Sequence, residues 1–248
     1  MNGKPLIWWT ALQASLTGYA TFVATDHDGI AEAVSDLNVG VVRTSSKCRN
    51  GTERVAEAYE KLASGNPDIL NEYDMVINWQ GDNPLMPRMF AELMAQTYKV
   101  YAERGVDFDI ITPYIYFNQN DSKALLEKRK NDIVGGTTVV TDTSSNALYF
   151  SKEVLPHISD INNIFSTPVK YHVGAYCYKP AALFEYALLA QTPLEKEEGL
   201  EQLRYVENGM KVKCIPMPYT GKIYNEVNNP EDVAEVEETL KNNDIEMA

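Results

Sequence analysis

The sequence predicts an α/β protein with a Rossmann-like, mostly parallel sheet covered by helices on both faces. Short apolar runs typical of buried strands alternate with segments whose apolar residues recur every three to four positions. The runs end at turn-forming residues, most clearly where the run before Trp79 stops at Gly81 and Pro84. The chain has 248 residues, of which 44% are apolar, enough for one large domain of this class.

The first 45 residues predict two helices and two strands. Residues 6–16 carry apolar side chains at helical spacing, and the apolar run 21–25 predicts the first strand. Residues 30, 33, 34 and 37 are apolar and share one face of a second helix. The run 39–42 then predicts a second strand.

The next part of the chain continues the alternation. Asn50 and Glu53 have the spacing of a capping box, which predicts that a helix begins there. A strand at 75–79, a helix at 88–102 and a strand at 108–112 follow. Strands separated by helices favour parallel neighbours, which is why the sheet is expected to be mostly parallel.

The second half of the chain changes character. Residues 118–136 are polar and rich in Asn, Asp and Lys, whereas apolar runs on either side of 142–145 predict a hairpin. The remaining predicted elements are a strand at 171–178, helices at 180–191 and 194–208, a strand at 211–217 and a last helix capped by Asn229. We expect a single domain over residues 1–248, with a substrate-covering subdomain at about 118–210 inserted in it.

Composition excludes several classes of function. The net charge of −13 disfavours a broad nucleic-acid surface. The three cysteines, Cys48, Cys177 and Cys214, show neither metal-ligand spacing nor a disulfide framework, which fits the reducing cytoplasm. No apolar stretch approaches membrane-spanning length and no signal-peptide pattern is present, so no membrane partner is expected.

Asp82 is the strongest candidate for a functional residue. It follows a predicted buried strand directly, and ligands of open α/β sheets bind at the carboxyl ends of the strands. A carboxylate at that edge can hold a divalent cation against phosphate oxygens. The alternative is that Asp82 only caps the turn that follows.

Eight segments, in order along the chain, resemble the 3-deoxy-manno-octulosonate cytidylyltransferase family, also called CMP-Kdo synthetases. Each segment is weakly specific alone, and their shared order carries the resemblance from Asn2 almost to the C-terminus. The segments lie at residues 2–7, 24–27, 51–54, 80–82, 147–151, 172–176, 200–204 and 229–232. The resemblance implies a nucleotidyltransferase fold and transfer of CMP from CTP to an acidic eight- or nine-carbon sugar, with release of pyrophosphate, for lipopolysaccharide or capsule synthesis.

By this resemblance Asp82 would hold Mg²⁺ and would be catalytic. The family's second metal carboxylate corresponds to Asn228, whose amide oxygen can bind the ion but adds no charge. Glu226, two residues away, is an alternative ligand. A transition state rich in phosphate charge would depend on such cations.

The resemblance also implies two sets of binding residues. The nucleotide set is Asn50, Gly51, Thr52, Arg54 and Gln80, although the family has His, any residue and Ser where this chain has residues 48–50. Helix capping is the plain alternative for Asn50 and Gly51, and a solvated side chain for Arg54. The sugar set is Tyr149, His172, Tyr176, Glu201 and Gln202. The alternative is that the aromatic members are core residues and that the neighbouring glutamates form a solvated helix face.

One family element is expected before Asn2. It is a strand and a loop of the type Pro-Ala-Arg followed by Arg-Leu-Pro-Gly-Lys, which grips the triphosphate. The sequence starts after this element, and three explanations stay open: the true start lies upstream, the element is a separate chain, or catalysis has been lost. The activity of this chain as it stands is therefore in doubt. The alternative functions are a non-catalytic sugar- or nucleotide-binding relative and, more remotely, a GT-A-like glycosyltransferase using Asp26-His27-Asp28. A homodimer is expected by resemblance alone.

Overall fold

The computed structural model describes residues 3–160, 168–218, 227, 233–234 and 236–238, apart from the side chains of 70 and 71. The chain forms two compact units. The first comprises residues 1–74, 78–93 and 223–248, and the second comprises 75–77 and 94–222. The predicted 118–210 subdomain lies within the second unit.

The first unit contains a parallel strand pair and the helices that pack on it. Strands β1 (Phe22–Thr25) and β2 (Gly40–Arg43) pair in register, with Val23 opposite Val41. The helices are α1 (Leu6–Ser15), α2 (Asp28–Ala33), α3 (Gly51–Gly65) and α4 (Ile69–Glu72). Val23 packs with Ala11 and Val34, so α1 and the end of α2 bury the face of β1. The predicted first and third helices and the parallel strands of this region are confirmed, whereas α2 ends at Ala33, so the predicted helical face does not extend to residues 34 and 37.

A second cluster in this unit joins distant parts of the chain. Trp8 and Trp9 pack edge to face, with 5.1 Å between ring centroids, against the buried Val236. The indole Nε1 of Trp8 donates to Asp36 Oδ1 at 2.8 Å, and Lys4 Nζ lies 2.6 Å from the other oxygen of that carboxylate. The start of α1 is thereby tied to the segment that leads into β2.

Two elements each contain one of the points where the chain passes from one unit to the other. Strand β3 (Val76–Trp79) does so after Ile77, and helix α5 (Arg88–Glu103) does so after Leu93. Both were predicted within one or two residues of their ends. The loop between them carries Asp82.

The second unit is organised around a larger sheet. Its described strands run in the order β3-β8-β4-β7-β5-β6, with β9 paired to β4. The strands are β4 (Ile110–Tyr116), β5 (Thr137–Thr141), β6 (Ala147–Ser151), β7 (Lys170–His172), β8 (Ala175–Tyr178) and β9 (Val212–Pro216). The helices are α6 (Gln119–Lys130), α7 (Pro180–Leu188), α8 (Pro193–Glu198) and α9 (Leu203–Glu207).

The α/β class is confirmed, but this sheet is mixed rather than mostly parallel. Strand β4 pairs in parallel with β9 and antiparallel with β7 and β8, and β5 pairs antiparallel with β6 and β7. For β5 and β6 the physical reason is the short connection between them. The hairpin turn at 142–145 joins antiparallel strands directly, whereas a parallel pair needs a long crossover.

The predicted strand 171–178 is divided into β7 and β8. Both lie along the same edge of β4, and the division falls opposite Pro113. Proline has no N–H to donate to a ladder. The N–H of Val173 still donates to Pro113 O at 3.1 Å, and Ala175 N–H turns back to Val173 O at 2.7 Å.

Register assigns the side chains of the sheet to two faces, because directly paired residues share a face and neighbours along a strand alternate. One face, the inner face, carries Thr112, Phe150 and His172, and the other carries Ser151 and Tyr149. A bridge between Asn146 and Lys213, and a 2.8 Å bond from Cys214 N–H to Ser145 O, bring the start of β6 to β9.

One helix has no counterpart among the predictions, and one prediction differs from the structure. The polar segment 118–136 contains α6, which Asn118 caps by accepting from Asp121 N–H at 3.0 Å. The predicted helix 194–208 is two helices, because Gly199 adopts a left-handed conformation at the end of α8. Within the described ranges, no helix has the length and apolar character needed to cross a bilayer.

Candidate active site

The loop after β3 holds Asp82 with one carboxylate oxygen, Oδ1, buried and without a hydrogen-bond donor among the described residues. Burial raises the pKa of the carboxyl group. Both amide atoms of Asn83 and the Nδ2 atom of Asn78 are likewise buried without a partner. Buried polar atoms are normally paired, so these atoms mark this strand end as a candidate binding site.

The backbone around Asp82 is held firmly from inside the first unit. Thr10 Oγ1 on α1 donates to Gly81 O at 2.9 Å, and Trp79 Nε1 donates to Asn83 O at 2.9 Å. The N–H of Val227 donates to Asp82 O at 2.8 Å. A β-carbon at Gly81 would lie 3.1 Å from Ile7 Cδ1, so glycine permits the close approach of α1. Asp82 is therefore presented on a fixed turn.

The cap predicted at Asn50 is present. Asn50 Oδ1 accepts from Glu53 N–H at 2.9 Å, and Glu53 Oε2 accepts from Arg49 N–H at 2.8 Å. Gly51 opens α3, and Thr52 in its first turn is buried. The capping role assigned as the plain alternative is therefore confirmed, and base contacts by these residues stay a prediction.

Arg54 lies at the carboxyl ends of β1 and β2. Its Nη1 atom donates to Thr44 Oγ1 at 2.7 Å and lies 3.1 Å from Asp26 Oδ1. The charge of Arg54 is thus partly balanced, and its guanidinium is oriented by residues that follow the two strands. The sequence analysis did not predict that Asp26 orients Arg54. The position of Asp26 directly after β1 could have indicated a site residue.

Cys48 is engaged close to the cap of α3. Its Sγ atom donates to Glu57 Oε2 at 3.2 Å, while Glu57 Oε1 accepts from Ser45 N–H at 2.8 Å. Partial burial and the Glu57 carboxylate raise the pKa of the Cys48 thiol to about 11. The side chain is therefore a protonated donor that fixes the loop before α3.

His172 is a buried, neutral member of the second unit. The single hydroxyl hydrogen of Thr112 is donated to Ala175 O at 2.8 Å, so Thr112 Oγ1 accepts from His172 Nε2, also at 2.8 Å. This fixes the tautomer with hydrogen on Nε2. Burial lowers the pKa of His172 to about 3. Phe150 and Tyr176 flank the ring at centroid distances of 5.0 and 5.6 Å.

The other sequence-predicted sugar residues are distributed over two places. Gln202 is buried at the N-cap of α9, directly after the half-buried Glu201. Tyr149 lies on the face of β6 opposite to that of His172, and its hydroxyl donates to Glu198 Oε1 at 3.2 Å. Partial burial and Glu198 raise the pKa of Tyr149. The structure brings His172 and Tyr176 together and separates Tyr149 from them.

Of the two predicted metal ligands, the structure describes Asp82 but not Asn228. Glu226, the alternative ligand, also lies outside the described residues. Among the residues that the structure describes, no group of three or more His, Cys, Asp or Glu side chains forms a ready ligand set for a metal ion. In the described part of the chain, amide oxygens such as that of Asn83 are the further oxygen atoms near Asp82 that a cation could use.

Comparison with known proteins identifies the family. Residues 1–212 match the sequence profile of the family described as cytidylyltransferase. A 3-deoxy-manno-octulosonate cytidylyltransferase from Maricaulis maris is 34% identical over 215 residues, which cover 87% of this chain and 78% of the relative. An 8-amino-3,8-dideoxy-manno-octulosonate cytidylyltransferase from Shewanella frigidimarina is 34% identical over 239 residues, covering 96% of this chain and 88% of the relative.

A solved structure supports the same assignment. The structure of a CMP:2-keto-3-deoxy-manno-octonic acid synthetase complexed with CTP matches with a TM-score of 0.77 at 25% identity. The match covers 97% of this chain and 89% of the other. The nucleotidyltransferase fold predicted from the sequence is therefore confirmed. This chain belongs to the cytidylyltransferase family, among the 3-deoxy-manno-octulosonate cytidylyltransferases.

Proposed function

We propose that this protein transfers CMP from CTP to the anomeric hydroxyl of 3-deoxy-manno-octulosonate, or of a closely related acidic sugar. The anomeric oxygen forms a bond to the α-phosphorus, the bond from that phosphorus to the leaving oxygen breaks, and pyrophosphate and the hydroxyl proton are released. The observation that carries the proposal is the buried, unpaired oxygen of Asp82 at the strand end. Family membership and the names of the relatives support the same reaction.

Asp82 fits a role as ligand of a Mg²⁺ ion. Within the described part of the chain its buried Oδ1 atom has no protein donor, and burial raises the pKa of the carboxyl group, so a cation would stabilise its ionised form. The Oδ1 atom of Asn83 is an adjacent hard oxygen that is also unpaired. When bound, the ion would neutralise phosphate charge as it develops in the transition state.

The first unit supplies the remaining nucleotide contacts that we propose. Arg54 is held by Asp26 and Thr44, so its position is set before a triphosphate binds. Asn50 and Gly51 begin α3, whose N-terminal end favours negative charge. Gln80 carries an amide, which matches the donor and acceptor on one edge of cytosine. These features support binding of CTP by this unit.

The second unit supplies the sugar contacts that we propose. His172 is neutral and its Nε2 hydrogen is occupied by Thr112, so Nδ1 is the ring atom that would accept from a sugar hydroxyl. Glu201 and Gln202 add a carboxylate and an amide at the start of α9. A polyhydroxylated substrate needs such a mixture of donors and acceptors.

Pyrophosphate release measured with CTP, 3-deoxy-manno-octulosonate and Mg²⁺ tests the reaction. We expect release that depends on all three components and that decreases at least about a hundredfold in Asp82→Asn, because one ligand of the ion would become neutral. Binding of both substrates without release would overturn the proposal in favour of a non-catalytic binding protein. Wild-type rates in Asp82→Asn would remove the metal role of this residue.

Metal binding can be followed without turnover. Mn²⁺ titration monitored by electron paramagnetic resonance should give weaker binding in Asp82→Asn than in the wild type. Equal affinity in the two proteins would place the ion elsewhere. We further propose a cytoplasmic homodimer. The exposed Leu148 and Leu188, which are 57% and 87% exposed, are apolar surface that a second copy would cover, and sedimentation velocity measures the assembly.

A further inference from the structure

The carboxylate of Glu198 accepts three hydrogen bonds in the second unit. Its Oε1 atom accepts from Ser151 Oγ at 2.7 Å and from Tyr149 Oη at 3.2 Å, and its Oε2 atom accepts from Lys152 N–H at 2.9 Å. All three donors belong to β6 or to the residue that follows it. Hydrogen bonds to an ionised carboxylate are stronger than neutral ones, so Glu198 joins the end of α8 firmly to β6.

The position of Tyr149 follows from the register of the sheet. Tyr149 pairs with Val140, whereas Phe150 pairs with Val139 and His172 pairs with Thr137. Because Thr137 and Val139 are two residues apart, Phe150 and His172 share the inner face and Tyr149 lies on the opposite one. The 5.0 Å contact between the rings of Phe150 and His172 agrees with this assignment. Tyr149 therefore points away from His172 and toward Glu198.

The segment that Glu198 anchors leads directly to two of the proposed sugar residues. Gly199, in the left-handed conformation, ends α8, and Glu201 and Gln202 follow before α9 begins. On its other side this connection is held by Tyr186, whose hydroxyl donates to Glu201 O at 3.2 Å. The connection 199–202 is thus held by the Glu198 carboxylate at its beginning and by the Tyr186 hydroxyl at Glu201.

We propose that Glu198 is a positioning residue for the sugar subsite, holding residues 199–202 against β6 so that Glu201 and Gln202 are presented to the sugar. In this arrangement Tyr149 serves as a donor to Glu198 and does not touch the substrate. The inference rests on the proposed function, since it assigns the sugar to Glu201 and Gln202. It differs from a direct sugar role for Tyr149, which the family resemblance implies.

Steady-state kinetics of Glu198→Gln test the inference. The amide NH₂ group cannot accept, so the charge-assisted bonds from the two hydroxyls are replaced at best by weaker neutral bonds in which the hydroxyls accept. We expect the KM for the sugar to rise about tenfold while the KM for CTP changes less than about twofold. Glu197→Gln is the matched control, because Glu197 is an exposed glutamate on the same helix and makes the same change of charge.

Tyr149→Phe distinguishes positioning from direct contact. Ser151 and Lys152 still hold Glu198 in this variant, so the sugar KM should rise less than about threefold. In the double variant it should be no higher than in Glu198→Gln alone, because residues that act in one contact are not additive. A tenfold effect of Tyr149→Phe alone would overturn the inference, as would equal changes in both KM values for Glu198→Gln.

Calorimetric titration of the sugar separates this inference from the proposed reaction. Weaker sugar binding in Glu198→Gln, with no turnover even in the wild type, would support the positioning role and overturn the reaction. Sugar affinity unchanged from that of the wild type would overturn the positioning role. If Glu198→Gln fails to fold, Ser151→Ala removes one of the three donors, and an intermediate rise in the sugar dissociation constant is expected.

Discussion

Replacing Glu195 with glutamine would leave the guanidinium of Arg204 buried beside a neutral amide. Arg204 is fully buried and Glu195 is 4% exposed. The guanidinium binds both carboxylate oxygens, with Nε to Oε2 at 2.8 Å, and stacks over the ring of Tyr186 at 4.2 Å. Glu195 also accepts from Thr192 N–H at 3.1 Å at the N-terminal end of α8. One carboxylate thus joins α8 to α9 and pairs a backbone N–H at the start of α8.

The expected cost follows from the loss of one partner of a buried ion pair. Such losses destabilise by about 3–5 kcal/mol, and the lower end applies here because glutamine keeps one acceptor oxygen. For a chain of this size about 3 kcal/mol lowers Tm by roughly 6–12 °C. Replacing both partners, as in Glu195→Gln with Arg204→Met, should recover part of the loss, because no uncompensated charge then stays buried.

The ion pair also predicts a pH dependence. Burial alone would raise the pKa of Glu195, but hydrogen bonds from Arg204 and from Thr192 N–H, with the charge of Arg204, outweigh it and lower the pKa below 4.5. The folded state therefore favours the ionised form. The stabilisation is present above pH 4.5 and is lost as the pH falls through the lowered pKa. Glu195→Gln should lack this part of the acid sensitivity.

Urea unfolding monitored by fluorescence and by circular dichroism measures the effect. We expect the midpoint of Glu195→Gln to fall by at least about 1 M, whereas Glu197→Gln, on the exposed side of α8, should stay within about 0.5 kcal/mol of the wild type. If the two variants unfold at the same urea concentration, the reasoning about the buried pair is refuted.

Three more predictions follow from the same physical arguments. Asp82→Asn should raise the urea midpoint at pH 7 in the presence of a chelator, because a buried, unpaired charge is removed, and a lower midpoint would contradict this. Asn50→Ala should lower stability by about 1 kcal/mol through loss of the α3 cap, while Asn50→Asp should not, as chemical denaturation will reveal. Because the pKa of His172 is about 3 in the folded protein and 6.5 in the reference state, the stability that its neutral form contributes should be lost as the pH falls from about 6.5 toward 3. An NMR resonance assigned to the His172 ring that titrates near pH 6.5 in the folded protein would argue against its burial.

Local signals in the sequence were sufficient for most elements. Asn50 with Glu53, and the apolar runs before Asp26 and Asp82, place α3, β1 and β3 within one or two residues of their bounds. Helix α6 was missed because its composition is polar and only Ser122 and Leu125 are buried. Its cap at Asn118 was nevertheless a readable signal.

Features that depend on distant parts of the chain could not be predicted. The division of β7 from β8 is set by Pro113 on a neighbouring strand, and strand direction depends on how connections are routed. In the candidate site, the sequence predicted the position of Asp82 at the end of a strand. It could not predict that one carboxylate oxygen is buried, because burial depends on residues distant in the chain. Glu195 and Glu198 are three residues apart on one side of α8, so helical spacing could have separated them from the exposed Glu197.

The bond between Cys48 and Glu57 has a practical consequence for spectroscopy. A thiol whose pKa is about 11 is almost wholly protonated at pH 7, and alkylating probes react with the thiolate. Cys214, whose pKa burial raises to about 12, and the buried Cys177 are protected as well. A cysteine introduced on an exposed helix, for instance at Glu197, should therefore take a maleimide dye selectively, without prior removal of the native cysteines.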